Sequence, residues 1–230
     1  MAQRPVFVPD KEHLVSIVST EFSFYSGFAK IQRQKCVESL HAAFLRQHPE
    51  AHPLEISSFS KSESGVSLSA FHLTLSLSNG SYIPVELAYQ GGKIFAKDGP
   101  FLDLFAAEPG KAKRDPRLHE SGKLTHYIFE GRQFSIRPVT LFYTWLYLRA
   151  LSEHPELGKE LMNYNAFTDI VYSPAKSLNC QAFSAAVFVS LCVDGTLDRA
   201  IYDPDWLAER LHASSALLES IHQRKTITRR

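Results

Sequence analysis

Cysteine, methionine and tryptophan are scarce in this chain, and long apolar runs are missing. The 3 cysteines among 230 residues are Cys36, Cys180 and Cys192, with no CxxC pair, so neither a disulfide framework nor a zinc-cysteine site is expected. No apolar stretch reaches the roughly 18 residues that a membrane span requires. The start of the chain, Met1 to Asp10, holds two prolines and no long apolar segment, which predicts neither a signal peptide nor a membrane span and points to the cytoplasm. Charge of one sign is lacking too: 25 Lys and Arg oppose 24 Asp and Glu, a net charge of +1. Any nucleic-acid contact must therefore come from a local patch. Walker A, GxGxxG, HExxH and GxSxG motifs are absent, and the 10 histidines are scattered without ligand spacing, so no metal and no cofactor is expected.

What is present is a core-forming composition, 44% hydrophobic and rich in Phe and Tyr, enough for one medium domain. Residues 1–54 read as an N-terminal extension packed on the core, and residues 55–230 as the main domain. The periodicity predicts a helix over Lys30 to Gln47. Alternation from Phe71 to Leu77, the Asn79-Gly80 turn and Ser81 to Ile83 predict a hairpin, and Lys123 to Phe129 with Arg132 to Ile136 a second. Helices are expected over Val85 to Phe95, around Leu102 to Ala106, and over Pro138 to Leu151, Pro155 to Met162 and Ser177 to Cys192. An amphipathic helix from Pro204 to Gln223 leads into the basic tail Arg224, Lys225, Arg229 and Arg230. Phe167 to Tyr172 reads as a short strand or an extended loop. Helices outnumber strands and the strands come as hairpins, so the class is α+β, mainly helical, with small antiparallel hairpins and no parallel dinucleotide-binding sheet.

Glu86, Tyr89, Gln90 and Lys93 fall at i, i+3, i+4 and i+7, which on one helix would set a carboxylate, a phenol, an amide and an ammonium on a single face. Gly91-Gly92 inside such a helix implies close approach of backbone or ligand; a solvated face with a glycine kink accounts for the same pattern. Asp169 is a lone carboxylate among apolar neighbours, suited either to acid-base work or to capping a turn. Asn179 stands at the expected start of the buried Ser177 to Cys192 helix, where free N–H groups favour an anion, or else it bonds locally behind a Ser177 N-cap. Lys111, Lys113, Arg114 and Arg117 form a basic cluster, a solvated face or a phosphate contact. Phe142 and Trp145 read as core, and Cys180 and Cys192 as small buried hydrophobes.

In order along the chain, Phe59-Ser60, Leu68-Ser69-Ala70-Phe71, Asn79-Gly80, Glu86-Leu87-Ala88-Tyr89-Gln90 with Lys93-Ile94-Phe95, Glu108-Pro109 with Ala112-Lys113, His154-Pro155-Glu156-Leu157 and Ser177-Leu178-Asn179 resemble the motifs of the NADAR family, whose best-known branch is the YbiA-like N-glycosidases. Leu87 stands where that family has a histidine, and its Trp-Gly loop is missing. The long form and the Ser-Leu-Asn-Cys-Gln stretch resemble the branch associated with DarT, a toxin that ADP-ribosylates DNA bases. The resemblance implies an antitoxin that removes ADP-ribose from modified DNA, guanine foremost. Its substrate would be ADP-ribosylated DNA, its product ADP-ribose, and its partner a fused or neighbouring DarT-type toxin. It implies Glu86 and Asp169 as catalytic carboxylates, since cleavage of an N-glycosidic bond passes through an oxocarbenium-like state. Lys93 would meet the diphosphate or hold Glu86 ionised, Asn179 phosphate or ribose hydroxyls, and Tyr89 the ligand by stacking or hydrogen bonding; Ser69 and Phe71 complete the ligand-binding set. Two other readings remain: a non-catalytic antitoxin that binds ADP-ribose or the toxin, and an N-glycosidase of a free phosphoribosyl metabolite.

Overall fold

Val6 and Phe7 are neighbours in the chain and both fully buried, yet they enter different cores. Val6 packs with Phe22, Cys36, Leu40 and Phe44, whereas Phe7 packs with Leu14, Val15 and Phe183. Strands β1 (Ala2–Asp10) and β2 (Leu14–Phe22) form a nine-pair antiparallel hairpin, covered on one face by helix α1 (Lys30–Leu45). The computed structural model describes residues 1–27, 29–173 and 177–227, with side chains to residue 223. The tail residues Arg224, Lys225, Arg229 and Arg230 lie outside the described side chains.

Beyond α1 the chain forms β3 (Pro53–Glu55), the short helix α2 (Glu63–Ser67), and a hairpin of β4 (Thr74–Ser76) and β5 (Tyr82–Pro84). That hairpin is shorter than the alternation from Phe71 suggests. The Asn79 side chain accepts both the N–H and the hydroxyl of Ser81, which closes the turn. Helix α3 (Val85–Gly91) and strand β6 (Lys93–Phe95) replace the single helix expected over Val85 to Phe95. A 3₁₀ turn at Leu102–Ala106 and two single-turn helices, α4 (Pro109–Ala112) and α5 (Arg117–Glu120), lead to β7 (Leu124–Phe129) and β8 (Arg132–Ser135). Glu130 and Gly131, with φ of 51° and 76°, make the tight turn between them.

The helical core follows: α6 (Leu141–Glu153), α7 (Pro155–Leu161), then β9 (Ala166–Thr168), α8 (Gln181–Val193), α9 (Leu197–Tyr202) and α10 (Pro204–Ile227). The small apolar face of α8 lies against α6, where Thr144 and Ser184 share a hydrogen bond of 3.1 Å. Phe142 and Trp145 are buried as expected, and the Trp145 indole donates to the Ile201 carbonyl. Buried Tyr147 donates to the Leu68 carbonyl at 2.8 Å, pinning the segment that precedes β4 to α6.

The fold is α+β, as the composition of elements implies. Not all of its strands are hairpin partners, however. The largest sheet among the described residues runs β2-β1-β9-β3, and β3 lies parallel to β9, with Leu54 opposite Phe167. That pairing joins segments more than 100 residues apart, and it sets Glu55 beside Thr168.

Candidate active site

One cleft of about 800 Å³ is lined by all seven residues that the family resemblance assigns to catalysis or ligand binding: Ser69, Phe71, Glu86, Tyr89, Lys93, Asp169 and Asn179. Backbone bonds explain how the first three meet. The N–H of Glu86 donates to the Ala70 carbonyl and that of Val85 to Leu73, both at 2.9 Å, so the first turn of α3 is locked to the segment carrying Ser69 and Phe71.

Glu86 is 4% exposed. Its Oε1 accepts the Gln90 amide at 2.8 Å and lies 4.0 Å from the Lys113 ammonium. Gln90 in turn accepts Lys93 Nζ at 2.6 Å, so one amide links the acid to a second cation. Lys93 also sits 4.5 Å above the Tyr89 ring. Burial pushes the Lys93 ammonium down to about 8, opposed by the Glu86 charge and aided by Lys113.

Lys93 is not on the helix with Glu86. The helix stops at Gly91; a Cβ there would stand 2.5 Å from the Phe105 ring, and one at Gly92 2.7 Å from the Ile128 carbonyl oxygen, so only glycine fits at either position. Gly92 instead accepts the Ile128 N–H at 2.8 Å and opens β6. The paired glycines thus admit protein, in the close approach their position implies, and the strand carries Lys93 back to the cleft.

The start expected for α8 is corrected as well. Cys180 occupies the N-cap and the helix begins at Gln181, so Ser177 is no cap and Asn179 stands ahead of the helix. Ser177 donates to the Asn179 carbonyl at 3.0 Å. Asn179 Nδ2 donates to the Tyr89 hydroxyl at 2.7 Å, while its Oδ1 is buried without a partner among the described residues.

Asp169 shapes a turn, one of the two readings its sequence left open. Its Oδ1 accepts the N–H groups of Val171 and Tyr172 and shapes the turn after β9; its Oδ2 accepts the Gln181 amide at 3.1 Å. Burial, then the charge of Glu55, pushes its carboxyl up to about 7. The Tyr143 phenol feels both cleft carboxylates: burial first, Glu86 next and Asp169 further down keep it protonated far above its usual range.

Of the basic cluster, Lys113 lines the cleft. Lys111 pairs with Glu108, and Arg117 with Asp103 and Asp115. Leu87 is buried in a separate apolar cluster with Phe101, Leu104, Ala112 and Leu118.

A family model described as DarT1-associated NADAR antitoxin matches residues 2–219. The chain belongs to that antitoxin family. No curated protein matches it. The match takes in the β1-β2 hairpin along with every element of the cleft. Among the described residues of this NADAR antitoxin, no helix is long and apolar enough to cross a membrane.

Several cleft residues escaped the sequence reading. Tyr127, Tyr143 and Tyr172 supply aromatic lining, Arg137 and His119 add polar groups, and Gln181 braces Asp169 while its carbonyl accepts the Ala70 N–H. Glu55, 2% exposed beside Asp169, left no periodic or motif signal. Only the parallel pairing of β3 with β9 reveals it.

Proposed function

We propose that this chain hydrolyses the N-glycosidic bond between ADP-ribose and a DNA base, guanine foremost, and so reverses the modification made by a DarT-type toxin in the cytoplasm. The carrying observation is Glu86: a buried carboxylate on the wall of an 800 Å³ cleft, flanked by Lys113 and linked through Gln90 to Lys93. That volume is of the size ligand clefts have, roughly 300–1,000 Å³. Its cations suit a diphosphate, and a carboxylate that Gln90 fixes in place suits the positive charge that develops at an anomeric carbon.

In this reading a water oxygen bonds to the anomeric carbon and its spare proton passes to Glu86. The carbon–nitrogen bond breaks, its electron pair leaves with the base, and the base takes a proton from Asp169. Solvent then returns the proton from Glu86 to Asp169. Tyr89 and Phe71 offer faces for the ligand, Lys93 and Lys113 charge for the diphosphate, and Asn179 and Ser69 hydrogen bonds.

The motif histidine replaced by Leu87 favours a non-catalytic binder. Leu87 is packed among apolar side chains outside the cleft lining, however, so this replacement leaves the cleft chemistry as it is. The test incubates the protein with oligonucleotides ADP-ribosylated on guanine or on thymine and follows free ADP-ribose by mass spectrometry. Release from the guanine substrate, lost in Glu86→Gln, is expected. Tight ADP-ribose binding without release would make the protein a binding antitoxin. Release only from free phosphoribosyl compounds would make it a metabolite glycosidase.

A further inference from the structure

Glu55 is a buried acid with three hydrogen-bond donors, and the reaction as proposed does not use it. Its Oε1 accepts the Ser57 hydroxyl at 2.6 Å and the Ile170 N–H at 2.8 Å; its Oε2 accepts the Thr168 hydroxyl at 2.6 Å. Ser57 lines the cleft, and its hydroxyl oxygen also accepts the Phe59 N–H. Thr168 and Ile170 bracket Asp169.

Burial pushes the Glu55 carboxyl up, and the Ile170 N–H and the Ser57 and Thr168 hydroxyls oppose that by favouring its charged form. Thr168 has one hydroxyl proton, and Oγ1 also lies 2.8 Å from Nε2 of His41. Burial holds His41 neutral down to about 4. With the Thr168 proton directed to Glu55 and His41 donating through Nε2, three donors converge on Glu55 as a carboxylate.

We propose that Glu55 is a positioning residue for Asp169: it ties down the turn that presents Asp169 to the cleft and, by carrying the negative charge itself, leaves the proton on Asp169. This rests on the reading of Asp169 as proton donor. Burial and Glu55 disfavour charge on Asp169, while the N–H groups of Tyr172 and Val171 and the Lys113 ammonium favour it, and the balance raises its carboxyl. Glu55 on β3 repels a second charge, Lys113 after α4 opposes that repulsion, and Tyr143 and Tyr147 on α6, Tyr172 and Cys180 are neutral neighbours that its charge disfavours further from ionising.

Glu55→Gln is the informative variant because the hydrogen-bond chain can reverse. The new amide donates to Thr168 Oγ1, Thr168 donates to His41, and the neutral imidazole changes tautomer. The experiment follows the side-chain carboxyl carbons of Asp169 and Glu55 by NMR across pH, together with the pH dependence of kcat on the guanine-modified oligonucleotide. In the native protein Glu55 should ionise before Asp169. In Glu55→Gln the Asp169 midpoint should fall by about one unit or more, and the alkaline limb of kcat with it. An unmoved Asp169 midpoint in folded Glu55→Gln overturns the proposal. If that variant does not fold, the native titration decides, and Asp169 ionising first overturns it. A shifted midpoint with an unmoved kcat limb upholds the role of Glu55 and removes Asp169 as the proton donor.

Discussion

Asn179 donates its side-chain amide to the Tyr89 hydroxyl over 2.7 Å, joining the segment ahead of α8 to α3 within one cleft. The phenol oxygen accepts in this bond, so its own proton is directed elsewhere, and Asn179 Oδ1 meets no donor among the described residues. The Tyr89 proton goes to the Tyr127 hydroxyl, so the pair presents one unpartnered acceptor, Asn179 Oδ1, suited to a ribose hydroxyl.

Tyr89→Phe removes the acceptor that fixes Asn179. The ring keeps its edge contact with Tyr143 at 5.1 Å, so the fold persists, and the loss is one hydrogen bond plus the ordering of Asn179. The expected result is a fall in ADP-ribose affinity of about tenfold, with a stability loss of about 1 kcal/mol. Isothermal titration and thermal melts measure the two, and an unchanged affinity would take Tyr89 out of the ligand-binding set.

Lys93 separates function from stability. Its ammonium is held at about 8 in the fold against 10.5 as the free side chain, burial being the main cause. Below pH 8 the fold bears the cost of a buried charge. Between 8 and 10.5 the unfolded chain binds the extra proton, so stability rises with pH across that window. Binding has the opposite sign: a diphosphate needs the ammonium, and ADP-ribose affinity should fall as pH rises through 8. Lys93→Met should therefore raise the melting temperature at pH 7 and abolish the affinity step near pH 8. Persistence of that step in the variant would assign it to another group.

The sequence exposed those parts of the fold whose signals are local. Helices α1, α6 and α7 and the turns at Asn79 and Glu130 follow from periodicity and turn chemistry. The β1-β2 hairpin was hidden because α1 covers one face of it and α8 the other, so Val6, Phe7 and Val8 read as a continuous apolar run with no alternation. The spacing from Glu86 to Lys93 pointed to residues that line the cleft through a helix that ends before Lys93, because the strand after Gly92 brings the ammonium back to Gln90. Glu55 was illegible because its partners Thr168 and Ile170 lie 113 and 115 residues away.

Leu87→His restores the residue that the family motif has at this position. Here it would set an imidazole among Phe101, Leu104, Ala112 and Leu118, with no polar partner in that cluster. A destabilisation of about 1–3 kcal/mol is expected, with no gain in the rate of ADP-ribose release. Chemical denaturation and the oligonucleotide assay test it, and a faster variant would show that position 87 reaches the reacting centre.

Arg137 and Glu219 give the final prediction, which concerns the nucleic acid itself. The Arg137 side chain is 64% exposed, lines the cleft, and pairs with Glu219 of α10 at 2.5 Å. With Lys113, which is 59% exposed, it places positive charge on the cleft lining of a chain whose net charge is only +1. A DNA strand delivering its modified base into the cleft would meet these groups through its phosphates, and each such contact releases counterions, so KM should rise steeply with salt. Arg137→Ala should lower the slope of log KM against log salt by about 1. Glu219→Gln, which frees Arg137 from its partner, should lower KM at fixed salt. The two variants act on the same guanidinium in opposite directions, so equal and same-signed effects would mean that Arg137 serves only to hold α10 in place.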